Sequence, residues 1–324
     1  MTTAKNTKTA FLFPGQGAQY PGMGLDFCET GSAAVNELFS LASDITGRDM
    51  KALLRGSDEE TLKRSDIAQP AITLVNLAAL SFLRERGVVP RAAAGFSLGE
   101  YAALVCAGVI SAECGLRLVT RRGQVMQDAA ERLAETSGGA HHEPGMAAVI
   151  GLGPEAVASL IARWTAEGIA DLYGANFNSP RQVVVSGTEA ALAAAEIKFR
   201  EAGARRVIRL SVAGPFHSPL MADAAASFAP FLADAPFTDP VIPLYSNVTG
   251  KRIQSGEEAK QLALRHITES VRWTEEEAAL AGEGGVEAVL ETGPGTVLAG
   301  LWKDTGNSIP CYGAGTVREI EQRW

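Results

Sequence analysis

The chain has 324 residues, 46% hydrophobic and 20% charged, a globular composition long enough for one large domain with an insert or for two domains. Its net charge of −8 gives no electrostatic footing for nucleic acid, and without a run of 18 apolar residues no membrane span is expected. The four cysteines (Cys28, Cys106, Cys114, Cys311) are scattered without metal-ligand spacing and read as free thiols. With no hydrophobic leader before Pro14-Gly15, a cytoplasmic protein is expected.

Thr9 to Phe13 reads as a short buried strand, ended by the loop Pro14-Gly15-Gln16-Gly17-Ala18-Gln19. A helix is expected over about Ala33 to Ala42. Ser65 to Pro70 opens another, with Ile72, Val75, Leu77, Leu80 and Leu83 at helical spacing before Gly87 stops it. The apolar run Ala92-Ala93-Ala94 then leads into Gly95-Phe96-Ser97-Leu98-Gly99-Glu100, and a helical run, Tyr101 to Ala107, leads out. Gly-x-Ser-x-Gly between a strand and a helix is the nucleophile-elbow pattern. Glycines two residues away on either side leave room for a serine on a sharp, strained turn. The helix that follows aims its first N–H groups at the reacting centre. The competing reading is a glycine-rich turn with an N-cap serine. Ser111-Ala112-Glu113 starts a further helix, running to Val125 and Met126.

The polar stretch Thr136 to Pro144 predicts a subdomain boundary. Its paired His141 and His142 have no acidic or cysteine partner at helix or hairpin spacing, so no metal site is expected. Next come a strand (Met146–Ile150), a helix (Glu155–Glu167), two strands (Leu172–Phe177, Gln182–Ser186), a helix (Glu189–Ala202) and a strand (Arg206–Ser211). That β-α-β-β-α-β order is the ferredoxin-like arrangement. Beyond it, strands are expected at Val241–Ser246 and Ala288–Leu290, then a Gly293-Pro294-Gly295 loop and a helix from about Thr296.

A serine nucleophile needs a base, and the chain has four histidines. His141 and His142 sit in the polar loop, and His266 in a helix or helix end. His217 follows a strand in Gly214-Pro215-Phe216-His217-Ser218-Pro219, a loop stiffened by two prolines, where α/β domains display site residues. His217 is the candidate base.

At this point the chain resembles the malonyl-CoA:acyl-carrier-protein transacylase family from end to end. Six pieces carry the resemblance in the family's order: Phe13 to Gln19; Gly95 to Glu100; Arg122-Gly123 with Met126-Gln127; Gly214 to Ser218; Ser246-Asn247-Val248; and Gly293-Pro294-Gly295. The resemblance implies an α/β fold: an α/β-hydrolase-like large domain (1–140 and 212–324) with an inserted ferredoxin-like subdomain (141–211). It implies that Ser97 attacks the thioester of malonyl-CoA and carries the malonyl group as an ester, with His217 relaying the proton. The backbone N–H groups of Gln16 and Leu98 would hold the oxyanion. Arg122, chosen over Arg121 by the following Gly123, would pair with the malonyl carboxylate. Phe216 would crowd a 2-methyl branch, Asn176 would face the acyl-CoA, and the backbone carbonyl of His266 would orient the base. An acyl carrier protein is the implied partner, with Arg121, Arg181, Arg205, Arg206 and Arg209 as candidate docking charges. No metal or organic cofactor is implied beyond the CoA substrate.

Two residues depart from the family pattern: Phe96 stands where the family usually has His, and His266 where it often has Gln. Glu100 and Asp66 are carboxylates that the reading does not need as triad members. Glu100 is expected to support the first turn of its helix. The alternatives are a free-standing acyltransferase of a polyketide synthase, a serine hydrolase with water as acceptor, and a silent carrier-binding module.

Overall fold

β1 (Thr9–Phe13) is buried along its whole length, and its side chains alternate between two cores, as the two-residue period of a strand requires. Phe11 and Phe13 join the larger core, while Ala10 and Leu12 meet Trp273 and Trp302 on the other face. The structure is a computed structural model that describes residues 7–136 and 144–324. β2 (Pro90–Gly95), β7 (Ala288–Glu291) and β8 (Cys311–Gly313) complete a parallel sheet of order β2-β1-β7-β8. A parallel sheet is covered on both faces, which is why β1 reads as a continuous apolar run.

One cover is built from the helices Ser65–Glu85 and Ala112–Thr136, which pack against each other. The Ser65–Glu85 helix is long and apolar enough to cross a membrane, but 89% of its apolar window is buried inside the protein, so it is a core helix. The apolar face drawn from the sequence understates it: Ala68, Gln69, Thr73 and Asn76 are buried as well.

β3 (Gly145–Ile150), β4 (Leu172–Ser179), β5 (Gln182–Gly187) and β6 (Arg206–Arg209) form a separate antiparallel sheet of order β4-β5-β3-β6. Helices Pro154–Ala166 and Glu189–Glu201 lie between its strands in sequence and close its own core of Val149, Val157, Trp164, Val183 and Phe199. The fold is thus mixed α/β, with a parallel and an antiparallel sheet. The two units are sewn together at the free edge of β4. Phe177 N donates to Val271 O at 2.8 Å, Val271 N to Ala175 O at 2.8 Å, and Ser270 Oγ to Gly174 O at 2.6 Å.

Several expectations are corrected. Val241–Ser246 is not a strand: only bridges from Leu244 to Ala93 and from Tyr245 to Arg252 form. Pro240 and Pro243 have no N–H to give a ladder, and Val241 lies exposed. The first long helix continues to Thr46, where Gly47 at φ 66° ends it. β6 stops at Arg209, short of Ser211. The helices Met50–Gly56, Glu59–Lys63 and Val317–Glu321 were not foreseen. Each is capped by its own polar residue (Asp49, Asp58 and Thr316) and is too short to show a period. The four cysteines are free. His141 and His142, and the 140/141 boundary, lie outside the described residues.

Candidate active site

Ser97 sits at the turn from β2 into the helix Gly99–Cys106, at φ 50°. His217 also has a left-handed backbone, at φ 56°. Non-glycine residues avoid this region, and such strain persists only where the surroundings impose it. The glycines of the elbow answer to sterics. A Cβ on Gly95 would collide with the backbone of Gly99 and Glu100, and one on Gly99 with the Phe13 carbonyl. A Cβ on Gly15 would strike the Phe96 carbonyl oxygen, so the Pro14–Gln19 loop lies directly on the elbow. Asn76 Nδ2 holds that loop by donating to Pro14 O at 3.0 Å. Gly293, at φ 144°, leaves the room that Asn76 needs.

The His217 ring reaches Ser97 across 120 positions of chain, with Nε2 2.7 Å from Oγ. Its Nδ1 lies 2.9 Å from His266 O and 3.2 Å from Glu269 O. Two carbonyl acceptors at Nδ1 fix the proton there, so Nε2 is the lone-pair nitrogen facing the serine hydroxyl. This is base geometry, with backbone carbonyls where a triad would place a carboxylate. Burial, then the nearby Arg122 charge, lowers the His217 pKa to about 4, against the pull of the two carbonyls.

That shift predicts a pH profile. If His217 acts as the base it must be neutral, so kcat/KM should hold from neutrality down and fall with a midpoint near pH 4. A bound carboxylate on Arg122 would offset part of the charge, so the limb in kcat should lie above that in kcat/KM. A kcat/KM limb near 6.5, the ordinary value, would count against this reading of His217. Because the folded pKa is depressed, the unfolded chain binds this proton first. The stability contribution is complete above pH 6.5 and is lost as pH falls toward 4.

Gln16, Ser97, Arg122, Asn176, Phe216 and His217 line one cavity of about 210 Å³. Leu98 and His266 stand behind its wall and offer backbone groups. Among the described residues, no protein acceptor takes the amide N–H of Gln16 or Leu98. The Gln16 side chain is tethered elsewhere, donating at 3.3 Å to both Lys63 O and Ser65 Oγ. Arg122 is buried in the Ala112–Thr136 helix, and its Nη1 donates to Gln69 Oε1 at 2.9 Å. Among the described residues its Nε and Nη2 have no partner at hydrogen-bonding geometry, although the Tyr101 ring lies 5.7 Å away and the Glu100 carboxyl acts on its charge. Gly123 is required beside it, since a Cβ there would press on the Ser65 carbonyl at 2.5 Å. Arg121 points elsewhere, over the Phe231 ring at 4.3 Å.

Of the two departures Phe96 is packed, whereas both ring nitrogens of His266 are buried without a hydrogen-bond partner among the described residues. Phe96 meets Trp273 edge to face, with centroids 5.2 Å apart. The His266 ring is fully buried beside His217, at 5.0 Å, and burial followed by the His217 and Arg122 charges drives its pKa well below the usual value. It therefore stays neutral.

Glu100 corrects an expectation. It occupies the first turn of its helix, but its buried carboxyl turns inward and accepts from Asn247 N at 2.8 Å. Burial pushes its pKa up to about 7, against that hydrogen bond and the Arg122 charge. The sequence alone assigns no role to Gln69 or Asn247. The signal for Gln69 was a lone amide inside an apolar helical run, a polar group that burial obliges to find a partner.

A serine with a neutral imidazole and unpaired backbone N–H groups beside it, on a parallel α/β scaffold, is the arrangement of enzymes that form an acyl ester on a serine. The acyl transferase domain family matches residues 10–322. Curated malonyl CoA-acyl carrier protein transacylases of Bacillus subtilis and Escherichia coli K12 are similar. The first is 35% identical over 316 residues (97% of this chain, 96% of the relative). The second is 38% identical over 298 residues (92% of each). The crystal structure of an acyl carrier protein S-malonyltransferase from Vibrio cholerae superposes with a TM-score of 0.89 at 36% identity, covering 98% of this chain and 99% of that one. A malonyl-transacylase solved with a type II polyketide acyl carrier protein superposes with a TM-score of 0.88 at 36% identity, with the same coverage. The chain belongs to the malonyl CoA-acyl carrier protein transacylase family.

Proposed function

We infer that this chain transfers a malonyl group from malonyl-CoA to the phosphopantetheine thiol of an acyl carrier protein, through an ester on Ser97, for fatty-acid synthesis. One observation carries the inference: a fully buried guanidinium, two of whose nitrogens make no hydrogen bond among the described residues, lines the cavity that holds Ser97. A buried cation left this way calls for an anion, and a planar carboxylate accepts two parallel hydrogen bonds from it.

In this reading His217 Nε2 takes the proton as Ser97 Oγ attacks the thioester carbonyl. The oxyanion rests on the N–H groups of Gln16 and Leu98. Collapse expels the CoA thiolate, which recovers the proton, and the ester remains. The carrier's thiol then gives its proton to His217, attacks the ester and leaves as malonyl thioester, restoring the serine. Every bond and proton balances between chain and substrates, so the reaction needs no metal or organic cofactor. His266 O keeps the His217 tautomer, Phe216 crowds the position of a 2-methyl branch, and Asn176 offers its amide to the acyl-CoA.

We assign residues 1–140 and 212–324 to an α/β-hydrolase-like domain and 141–211 to a ferredoxin-like subdomain. The support for the second is the antiparallel order β4-β5-β3-β6 with helices after β3 and β5. For the carrier's acidic surface, Arg181 and Arg205 both adjoin Gly151, one residue from Gln182 of the cavity wall. Arg206 begins the edge strand β6 and Arg209 ends it, paired with Glu189, while Arg121 lies on a different element.

The test is a two-step transfer read by intact mass. Malonyl-CoA alone should load one malonyl group, and holo carrier protein, not apo, should discharge it onto the carrier. Release as free malonate at the same rate without carrier would make the protein a hydrolase. The neighbour solved with a type II polyketide carrier favours a second reading, a polyketide partner, which rates measured with carriers of both pathways separate.

A further inference from the structure

We propose that Asn247 is the positioning residue of the nucleophile elbow: its side-chain amide clamps the backbone on both sides of Phe96 and so holds Ser97 in line with His217. Asn247 is fully buried, and each hydrogen-bonding group it has is engaged. Oδ1 accepts from Ser97 N at 2.6 Å, and Nδ2 donates to Gly95 O at 2.6 Å. Its own N donates to Glu100 Oε2 at 2.8 Å, and its O accepts from Arg272 N at 2.8 Å. The amide orientation is thereby fixed, because the reverse would face two donors and two acceptors against each other.

The physical need is plain. Ser97 is held at φ 50°, a strained conformation that relaxes unless the surroundings over-determine it. The clamp spans Gly95 to Ser97, the residues that bracket the turn. It also satisfies the Ser97 N–H, leaving the next amide, that of Leu98, as the elbow's own free donor beside that of Gln16. Glu100, in the first turn of the helix, ties the Asn247 backbone to the elbow's far side. Strand, nucleophile and helix are therefore fastened through one residue roughly half the chain away in sequence.

The proposal rests on Ser97 being the nucleophile but not on malonyl being its substrate, so its test uses a small fluorophosphonate with no carboxylate and no CoA. Ser97 Oγ bonds to phosphorus, fluoride leaves with the P–F electron pair, and His217 takes the proton. Asn247→Ala should label about 100-fold more slowly than the native protein, the penalty of a reacting group displaced by about 1 Å. Asn247→Asp has the same volume and keeps an acceptor for Ser97 N–H but loses the donor to Gly95 O, and should fall between the two. Malonyl-CoA affinity, compared in Ser97→Ala with and without Asn247→Ala, should stay within about threefold, since the clamp acts on the nucleophile and not on binding. A native-like labelling rate in either soluble variant overturns the proposal. So does affinity lost in step with labelling, which would make Asn247 a packing residue only. If the alanine variant does not fold, Asn247→Asp decides by the same two readouts.

Discussion

Ser97→Ala is expected to take up no malonyl group from malonyl-CoA and to lose carrier malonylation by on the order of 10⁶-fold, the scale seen when a serine nucleophile is removed from a pre-organised site. The size follows from the arrangement. His217 Nε2 stands 2.7 Å from Oγ, and among the described residues it hydrogen-bonds to no other side-chain hydroxyl. The cavity, the free N–H groups and Arg122 would all survive the change, so malonyl-CoA should still bind. The variant thus separates binding from chemistry: an intact Kd with no adduct is the expected pair of results. An adduct that persists in Ser97→Ala would transfer the nucleophile's role to another side chain and end the elbow reading. The fold should tolerate the change, since Ser97 packs no apolar surface and its backbone stays clamped by Asn247.

Arg122→Ala should change which acyl group is loaded. Removing one member of a buried charge pair costs about 2–5 kcal/mol, or roughly 30- to several-thousand-fold. Malonyl kcat/KM is therefore expected to fall by on the order of 10²- to 10³-fold. Acetyl loading should rise, because an acetyl group in the native site leaves the guanidinium unpaired, and the variant has no guanidinium to leave. The ratio of the two kcat/KM values is the measurement, and an unchanged ratio would remove Arg122 from substrate recognition. Arg122→Lys should recover only part of the malonyl rate, since an ammonium cannot offer the planar pair of donors. A second consequence links to pH. Arg122 is one cause of the depressed His217 pKa, so the acid limb of Arg122→Ala should move upward.

The turn that carries Ser97 and the loop that brings His217 to it were legible because both constrain the chain locally. Two glycines must flank the serine, and a loop of prolines must hold the histidine. Arg122 was legible through Gly123, which the structure explains by the Ser65 carbonyl pressed against it. The elements that escaped are those set by distant partners. Nothing near Asn247 announces that its amide reaches Gly95 and Ser97, and Glu100 looked like a helix-start carboxylate until the Asn247 backbone claimed it. Val241–Ser246 misled because its apolar residues outweighed Pro243 in the reading, whereas in the protein the missing N–H decides. The caps of the short helices were visible, but five to seven residues carry too little period to register.

The seam between β4 and Val271 has a consequence for how such enzymes can be recombined. The two carbonyls that orient His217 belong to His266 and Glu269, immediately before Ser270 and Val271, the residues sewn to Gly174, Ala175 and Phe177. On the other flank, Ser186 Oγ from β5 donates to the carbonyl of Phe216, next to the base. The smaller unit is therefore a jig for the imidazole as well as a wall of the cavity. A chimera that exchanges it between relatives transplants the alignment of the base along with the pocket, and its seam residues must travel as a set.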